Sequence, residues 1–142
     1  MTQPRAKFHQ SAEGAAAAEF AIISPVFFLM VFGMIAFGIW LSAANTIQQA
    51  AAGAARASIA GLNTTEREAF ARNYIESALS ANAFVDPEKV LVEVGDNPDM
   101  EGSYRVVITY DAAELPIWNL IGSDLLPGPE IRRESVILNG GV

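Results

Sequence analysis

Few side chains in this 142-residue chain are placed to do chemistry, and the one least explained by packing is Glu19. It stands immediately before Phe20–Leu41, an uncharged run whose only clearly polar side chain is Ser24. A carboxylate at the lip of such a segment is costly to desolvate, and residues of this kind tend to be functional, with a nameable partner. Asp96, Asn97, Asp99 and Glu101 form a second cluster and offer oxygen donors of the type Ca²⁺ takes. They lack the alternating acids ahead of a glycine that an EF-hand loop needs, so a solvated turn is the better reading and no metal is assigned. The single histidine, His9, lies ahead of the apolar run. The chain has no cysteine, no Gly-rich phosphate loop and no carboxylate pair set for acid–base work. Nothing in this set specifies an enzyme, and no cofactor is implied.

The element that positions Glu19 is the apolar run itself. As a helix it covers about 33 Å, close to the roughly 30 Å hydrocarbon core of a bilayer. A buried helix of a soluble domain would carry a polar stripe, and this one has none, so the run reads as a membrane span. Arg5, Lys7 and His9 precede it, whereas Ser42–Ala55 carries no charge and Arg56 is the first basic residue beyond it. Basic residues favour the cytoplasmic side, which places the N-terminus inside and the remainder outside. Residues 42–142 carry most of the acidic side chains of a chain whose net charge is −7. That balance argues against nucleic acid and against anionic lipid as partners. The absence of cysteine leaves the redox compartment open.

A basic start followed by an apolar stretch also describes a secretory signal, and Ser42-Ala43-Ala44 supplies small residues for a cut after the run. The run is longer than the roughly 7–15 residues of a signal-peptide core, which favours retention as an anchor. The stretch Glu13-Gly14-Ala15-Ala16-Ala17-Ala18-Glu19-Phe20 resembles the processing site of type IV prepilins and pseudopilins. The resemblance implies that a prepilin peptidase cuts after Gly14 on the cytoplasmic face and that Glu19 becomes the fifth residue of the mature chain. The new amino group of Ala15 then lies one helical turn from Glu19, a spacing at which opposite charges meet. The first turn of a helix also favours a carboxylate through the macrodipole. In pilins the matching glutamate is thought to pair with a neighbour's N-terminus, and the same assembly role is implied here.

From Gly14 to Gly61 the chain resembles the TadE-like family, minor pseudopilins of the tight-adherence (Flp) pilus assembly system. The matching features are Glu19-Phe20-Ala21, Pro25, Phe37-Gly38, Gln48-Gln49-Ala50-Ala51 and Gly53-Ala54-Ala55-Arg56-Ala57. One departure is Ala36, where relatives often carry a second acid, so a second intramembrane charge pair is in doubt. Pro25 removes a helical hydrogen bond and usually bends a helix. Gly38 and Ser42 form a small-xxx-small pair that permits close helix approach.

Beyond Leu41 the alanines predict a helix continuing to about Ala60. Its thin surface suits either bundling of many copies or packing on its own domain, and both readings stay open. Gly61-Leu62-Asn63 ends it. Thr65-Glu66-Arg67-Glu68 reads as a capping box opening a second helix to about Asn82, with Phe70, Tyr74, Ala78 and Leu79 as its core stripe. Three strands follow, near 90–94, 104–110 and 131–138, the first two joined as a hairpin and Tyr104, Val106, Ile108 and Tyr110 sharing one face. Between the last two strands, Ile117-Trp118-Asn119-Leu120-Ile121 reads as a short helix covering the sheet or as an exposed docking patch.

The resulting expectation is an α+β chain: a leader over 1–14, a long helix over 15–61 with its span at about 20–41, and an exported domain over 62–142 with a second helix and a three-stranded antiparallel sheet. The implied function is that of a minor pseudopilin in the bacterial inner membrane. Its partners would be the prepilin peptidase, other pilin-like subunits with the assembly machinery, and the lipid bilayer, with no nucleic acid. Processing residues are Gly14 and Ala15, and assembly residues are Glu19, Phe20, Pro25 and Gly38. An uncleaved bitopic scaffold or sensor partner, and a secreted soluble domain cut after Ala44, are the alternatives.

Overall fold

The computed structural model describes residues 7–80, 82, 84–120 and 125–138. Its first element, α1, is one helix from Lys7 to Ser58 that passes through Pro25. Helix α2 (Thr64–Ser80) follows, then a 3₁₀ turn at Pro87–Lys89, and strands β1 (Val90–Asp96), β2 (Ser103–Asp111) and β3 (Glu130–Leu138), with a second 3₁₀ turn at Pro116–Asn119 between the last two. The strands form an antiparallel sheet in the order β1-β2-β3. This is the α+β architecture read from the sequence, with the second half of α1 laid on one face of the sheet and α2 packed against α1 and the edge strand β1.

Alanine decides how closely these layers approach. Ala43, Ala44, Ile47, Ala50, Ala51, Ala54, Ala55 and Ser58 are all buried, a stripe at helical spacing down one side of α1. Against it stand Val90, Val92 and Val94 of β1, Tyr104, Val106, Ile108 and Tyr110 of β2, and Ile131 and Ile137 of β3. The alternation expected for β2 is thus the face that meets the helix. Of the two uses open for the alanine surface, the emerging half of α1 spends it on its own domain.

Helix α2 runs back along α1. At its far end the side chain of Asn82 donates to Thr46 Oγ1 at 2.8 Å, and midway Tyr74 lies against Gly53, where a Cβ would overlap the tyrosine ring. The turn between the helices is closed by Arg67, whose Nε donates to the carbonyl of Gly61 at 3.1 Å.

Two local expectations are corrected. The cap of α2 is Asn63: its Oδ1 accepts from the N–H of Glu66 at 2.9 Å, and Glu66 Oε2 accepts from the N–H of Leu62 at 2.9 Å. The box is therefore built on Asn63 and Glu66, two residues earlier than Thr65 and Glu68, because the helix begins at Thr64 and the residue before it must supply the cap. The buried stripe of α2 is Ala71, Ile75 and Leu79. Phe70 and Tyr74 are partly exposed. Because α2 rests in the angle between α1 and β1, the face it buries is rotated from the one with the largest aromatics.

The tip of the β1–β2 hairpin closes on itself. The N–H of Asn97 donates to the carbonyl of Ser103 at 2.9 Å, and Asn97 Oδ1 accepts from the N–H of Asp99 at 3.1 Å. Gly102, at φ +73°, takes a left-handed conformation that L side chains rarely adopt.

Replacing Asn63 by Ala should lower the stability of the detergent-solubilised chain by about 1 kcal/mol, the usual value of a lost cap, while Thr65→Ala should change it by less than about 0.5 kcal/mol. Urea unfolding followed by tryptophan emission measures both. Ile47→Ala, at the centre of the helix–sheet contact, should cost about 2–5 kcal/mol in the same assay.

Candidate functional site

The residues singled out for processing and assembly all fall on the part of α1 that the domain leaves uncovered. Gly14, Ala15, Glu19 and Phe20 are exposed, and from Ala16 to Ile35 no side chain is fully buried. Phe20 is 67% exposed and Val26 69%. An apolar surface this long and continuous needs a cover, and a helix that satisfies its own backbone hydrogen bonds is the form that lipid accepts. Among the described residues one helix is long and apolar enough to cross a membrane, and its most apolar window is hardly buried by the rest of the chain. This agrees with a single membrane-spanning segment.

Gly14 lies within α1, with open space where its side chain would be. A cut there requires local unwinding, which glycine eases because it is a poor helix former. Ala15 and Glu19 sit one turn apart on the same helix face, the arrangement in which a new amino terminus and a carboxylate meet. Glu19 makes no ion pair with another described side chain. Pro25 leaves the carbonyl of Ala21 without its usual donor. Beside it Phe20, Ile23, Ser24, Phe27 and Phe28 line a shallow, almost wholly apolar groove. Phe28 stacks on Phe32 with centroids 6.1 Å apart.

Gly38 points away from the domain and meets nothing within 4 Å. Its neighbour in the small-residue pair, Ser42, is half-buried. Leu41, Asn45, Gln48, Gln49 and Arg56 continue the outward face. The surface free for another helix is therefore apolar up to Leu41 and polar beyond it.

Other chemistry is sparse. Among the described residues no group of three or more His, Cys, Asp or Glu side chains is gathered for a metal ion. Asp99 is turned toward Arg105 at 3.9 Å, and Asn97 spends its side-chain oxygen within the hairpin tip. Ser58 and Ser103 are buried and bonded to backbone carbonyls, and the buried hydroxyl of Tyr104 has no hydrogen-bond partner. Tyr104 is enclosed, and burial holds its phenol above the ordinary value. The Glu114 carboxylate, paired with Lys89, holds that ammonium above its ordinary 10.5, so the pair's contribution is present at neutral pH and is lost as pH rises past that range.

The contact that the sequence reading missed lies at the end of the apolar run. The segment around Ile117 covers α1, where a cover for the sheet was expected: Ile117 and Ala36 are both completely buried against each other, with Ile39, Trp40, Leu115, Trp118 and Leu126 around them. Trp40 Nε1 donates to the carbonyl of Gly128 at 3.2 Å. The signal available in sequence was a tryptophan at the end of the run and a small residue one turn before it. Ile121, which belongs to the same apolar knot, lies outside the described residues.

Residues 14–56 match the family model described as TadE-like protein, consistent with membership of that family. The match begins at the glycine of the candidate cut and ends near the last turn of α1, so the α2 and sheet region lies beyond it. No curated protein and no solved structure matches the chain.

Two of the glycines in α1, Gly38 and Gly53, offer opposite tests of which face is internal. Gly38→Leu should leave stability within about 0.5 kcal/mol, as a substitution into open space does. Gly53→Leu should cost about 1–3 kcal/mol, because the new side chain must displace Tyr74 from the interface between the helices. Thermal unfolding of the two variants in detergent checks both.

Proposed function

We propose that the chain is a minor pseudopilin-like component of tight-adherence pilus biogenesis. It is made as a precursor with a cytoplasmic leader over residues 1–14 and is cut by a prepilin peptidase between Gly14 and Ala15. It is held in the inner membrane by Phe20–Leu41, with its domain on the outer side, and joins other pilin-like subunits through the uncovered half of α1. The observation that carries this reading is the division of one continuous helix into two halves. The second is consumed by the chain's own core, and the first, from Phe20 to Ile35, is apolar apart from Ser24 and left uncovered, with Glu19 at its edge. The family match over residues 14–56 covers the same glycine, glutamate and apolar run.

The assembly step follows from electrostatics at the membrane edge. After the cut, the amino group of Ala15 is a cation beside the bilayer and Glu19 an anion one turn further in. In a low-dielectric setting each is costly alone, and pairing offsets that cost. Two subunits in axial stagger satisfy the same charges between chains, which makes Glu19 a register mark for docking. Pro25 and the groove beside it supply an irregular surface that a neighbouring helix fills better than lipid, and Gly38 allows close approach. The carboxyl-rich exterior of the domain keeps neighbouring domains soluble and apart.

Intact mass and N-terminal sequencing of the membrane-extracted chain, with and without the peptidase, test this directly. A mature chain beginning at Ala15 only in the presence of the enzyme is expected. An intact leader in both cases would leave a plain bitopic anchor, and a soluble product starting at Asn45 would make it a secreted domain.

Glu19→Ala is expected to be processed and inserted normally but to lose most co-purification with pilin-like subunits. Glu19→Asp should retain part of it, because the charge persists at a shorter reach. Pull-down from detergent extracts reads the difference, and unchanged recovery of Glu19→Ala would remove the register role.

A further inference from the structure

The connection from β2 to β3 is anchored to α1 at a level that matters for the membrane. At about 1.5 Å per residue, α1 rises about 25 Å from Glu19 to Ala36 and about 32 Å from Glu19 to Trp40. With Glu19 at the inner edge of a roughly 30 Å hydrocarbon core, Ala36 lies inside that core and Trp40 at its outer edge. Tilting the helix places both deeper. Yet Ala36, Ile39 and Trp40 are the residues on which Ile117, Leu115 and Trp118 are packed. The loop therefore stands at the depth of the outer acyl boundary.

Its side chains suit that depth. Leu115–Leu120 carries no charge, and Glu114, which precedes it, is paired with Lys89. Both indole N–H groups are satisfied inside the protein, Trp40 by Gly128 and Trp118 by Ala112 at 2.7 Å, so neither ring brings an unpaired donor into an apolar medium. On the outside of this packed unit Leu120 is 40% exposed and Leu125 66%. Both are apolar side chains left uncovered by the domain. Tryptophan is enriched at membrane–water interfaces, where an apolar ring body is wanted at the headgroup level.

Resting on the reading that α1 spans the bilayer, we infer that the described parts of the β2–β3 connection, Leu115–Leu120 and Leu125, form an interfacial anchor. Trp118, Leu120 and Leu125 lie among the headgroups and first acyl carbons of the leaflet from which α1 emerges. The domain is thereby seated on the membrane, with the β1–β2 hairpin directed away from it. Insertion depends on apolar burial, since the domain is acidic, and it proceeds equally in zwitterionic bilayers. Seating fixes the rotation of α1 about its own axis, so that the face bearing Gly38 is presented to a neighbour in one orientation.

The absence of native cysteine makes site-specific labelling straightforward. Full-length chains carrying Phe28→Cys, Met100→Cys or Leu125→Cys are nitroxide-labelled and reconstituted in phosphatidylcholine nanodiscs. Collision with oxygen, which concentrates in lipid, is then compared with collision with a water-soluble nickel chelate. Position 28 is the mid-span reference and position 100, at the hairpin tip, the aqueous one. The expected result is an oxygen-to-nickel ratio at 125 several-fold above that at 100 and below that at 28. A ratio at 125 equal to that at 100, with 28 in lipid, overturns the anchor and leaves the span intact. Shielding of 125 from both quenchers assigns the surface to a protein neighbour and also overturns it. An aqueous ratio at 28 removes the span and the anchor with it.

Discussion

One helix has to satisfy two solvents, and the rest of the molecule is arranged around that constraint. Up to about Ile35, α1 offers large apolar side chains in every direction, which only lipid or other helices can cover. Beyond Leu41 the same helix carries alanine on one side and polar residues on the other. Alanine lets α2 and the sheet come close enough to enclose the stripe, and its high helix propensity keeps α1 unbroken across the change of medium. The domain is thus built directly on the membrane helix, so a force or rotation applied to one half is transmitted to the other.

That rigidity gives the candidate assembly residues their meaning. Glu19, Pro25 and Gly38 do not converge on a pocket; they mark points along a rod. Under the proposed assembly role, a rod with a charged start, an irregular groove and an open glycine is read by another rod, by register and by rotation. The ion pairs among the described residues are surface contacts, the acidic hairpin tip is occupied with its own turn, and the buried serines serve local backbone carbonyls. The outward chemistry of the domain is mainly its negative charge.

The β2–β3 connection adds a second tie between domain and helix. Gly128, at φ +110°, takes a backbone conformation that L side chains rarely adopt, and its carbonyl accepts from Trp40. With Ile117 on Ala36, this closes the lower end of the domain around α1, while Arg67 closes the upper end at Gly61. The pilin-like reading and the seated domain both draw on this: an assembly partner meets a helix whose orientation is already set by its own domain.

Composition and periodicity were enough to define the elements of this protein. The uncharged run, the alanine-rich continuation, the strand alternation through Tyr104, Val106, Ile108 and Tyr110, and the glycine–glutamate spacing at Gly14 and Glu19 are local patterns, and local patterns are what sequence encodes most directly. Tertiary structure decided which faces meet. The cap moved to Asn63 because the helix start is set by where α1 ends. On α2 the expected Leu79 and Ala78 do pack on the core, but Ala71 and Ile75 stand buried where Phe70 and Tyr74 were expected, because α2 fills an angle between α1 and β1 and not a flat surface. The knot at Ile117 settled on Ala36, beyond the sheet, because a residue as small as alanine opens a recess that no periodicity within the loop itself records. Burial is a property of pairs of surfaces, and a single strand of sequence carries only one member of each pair.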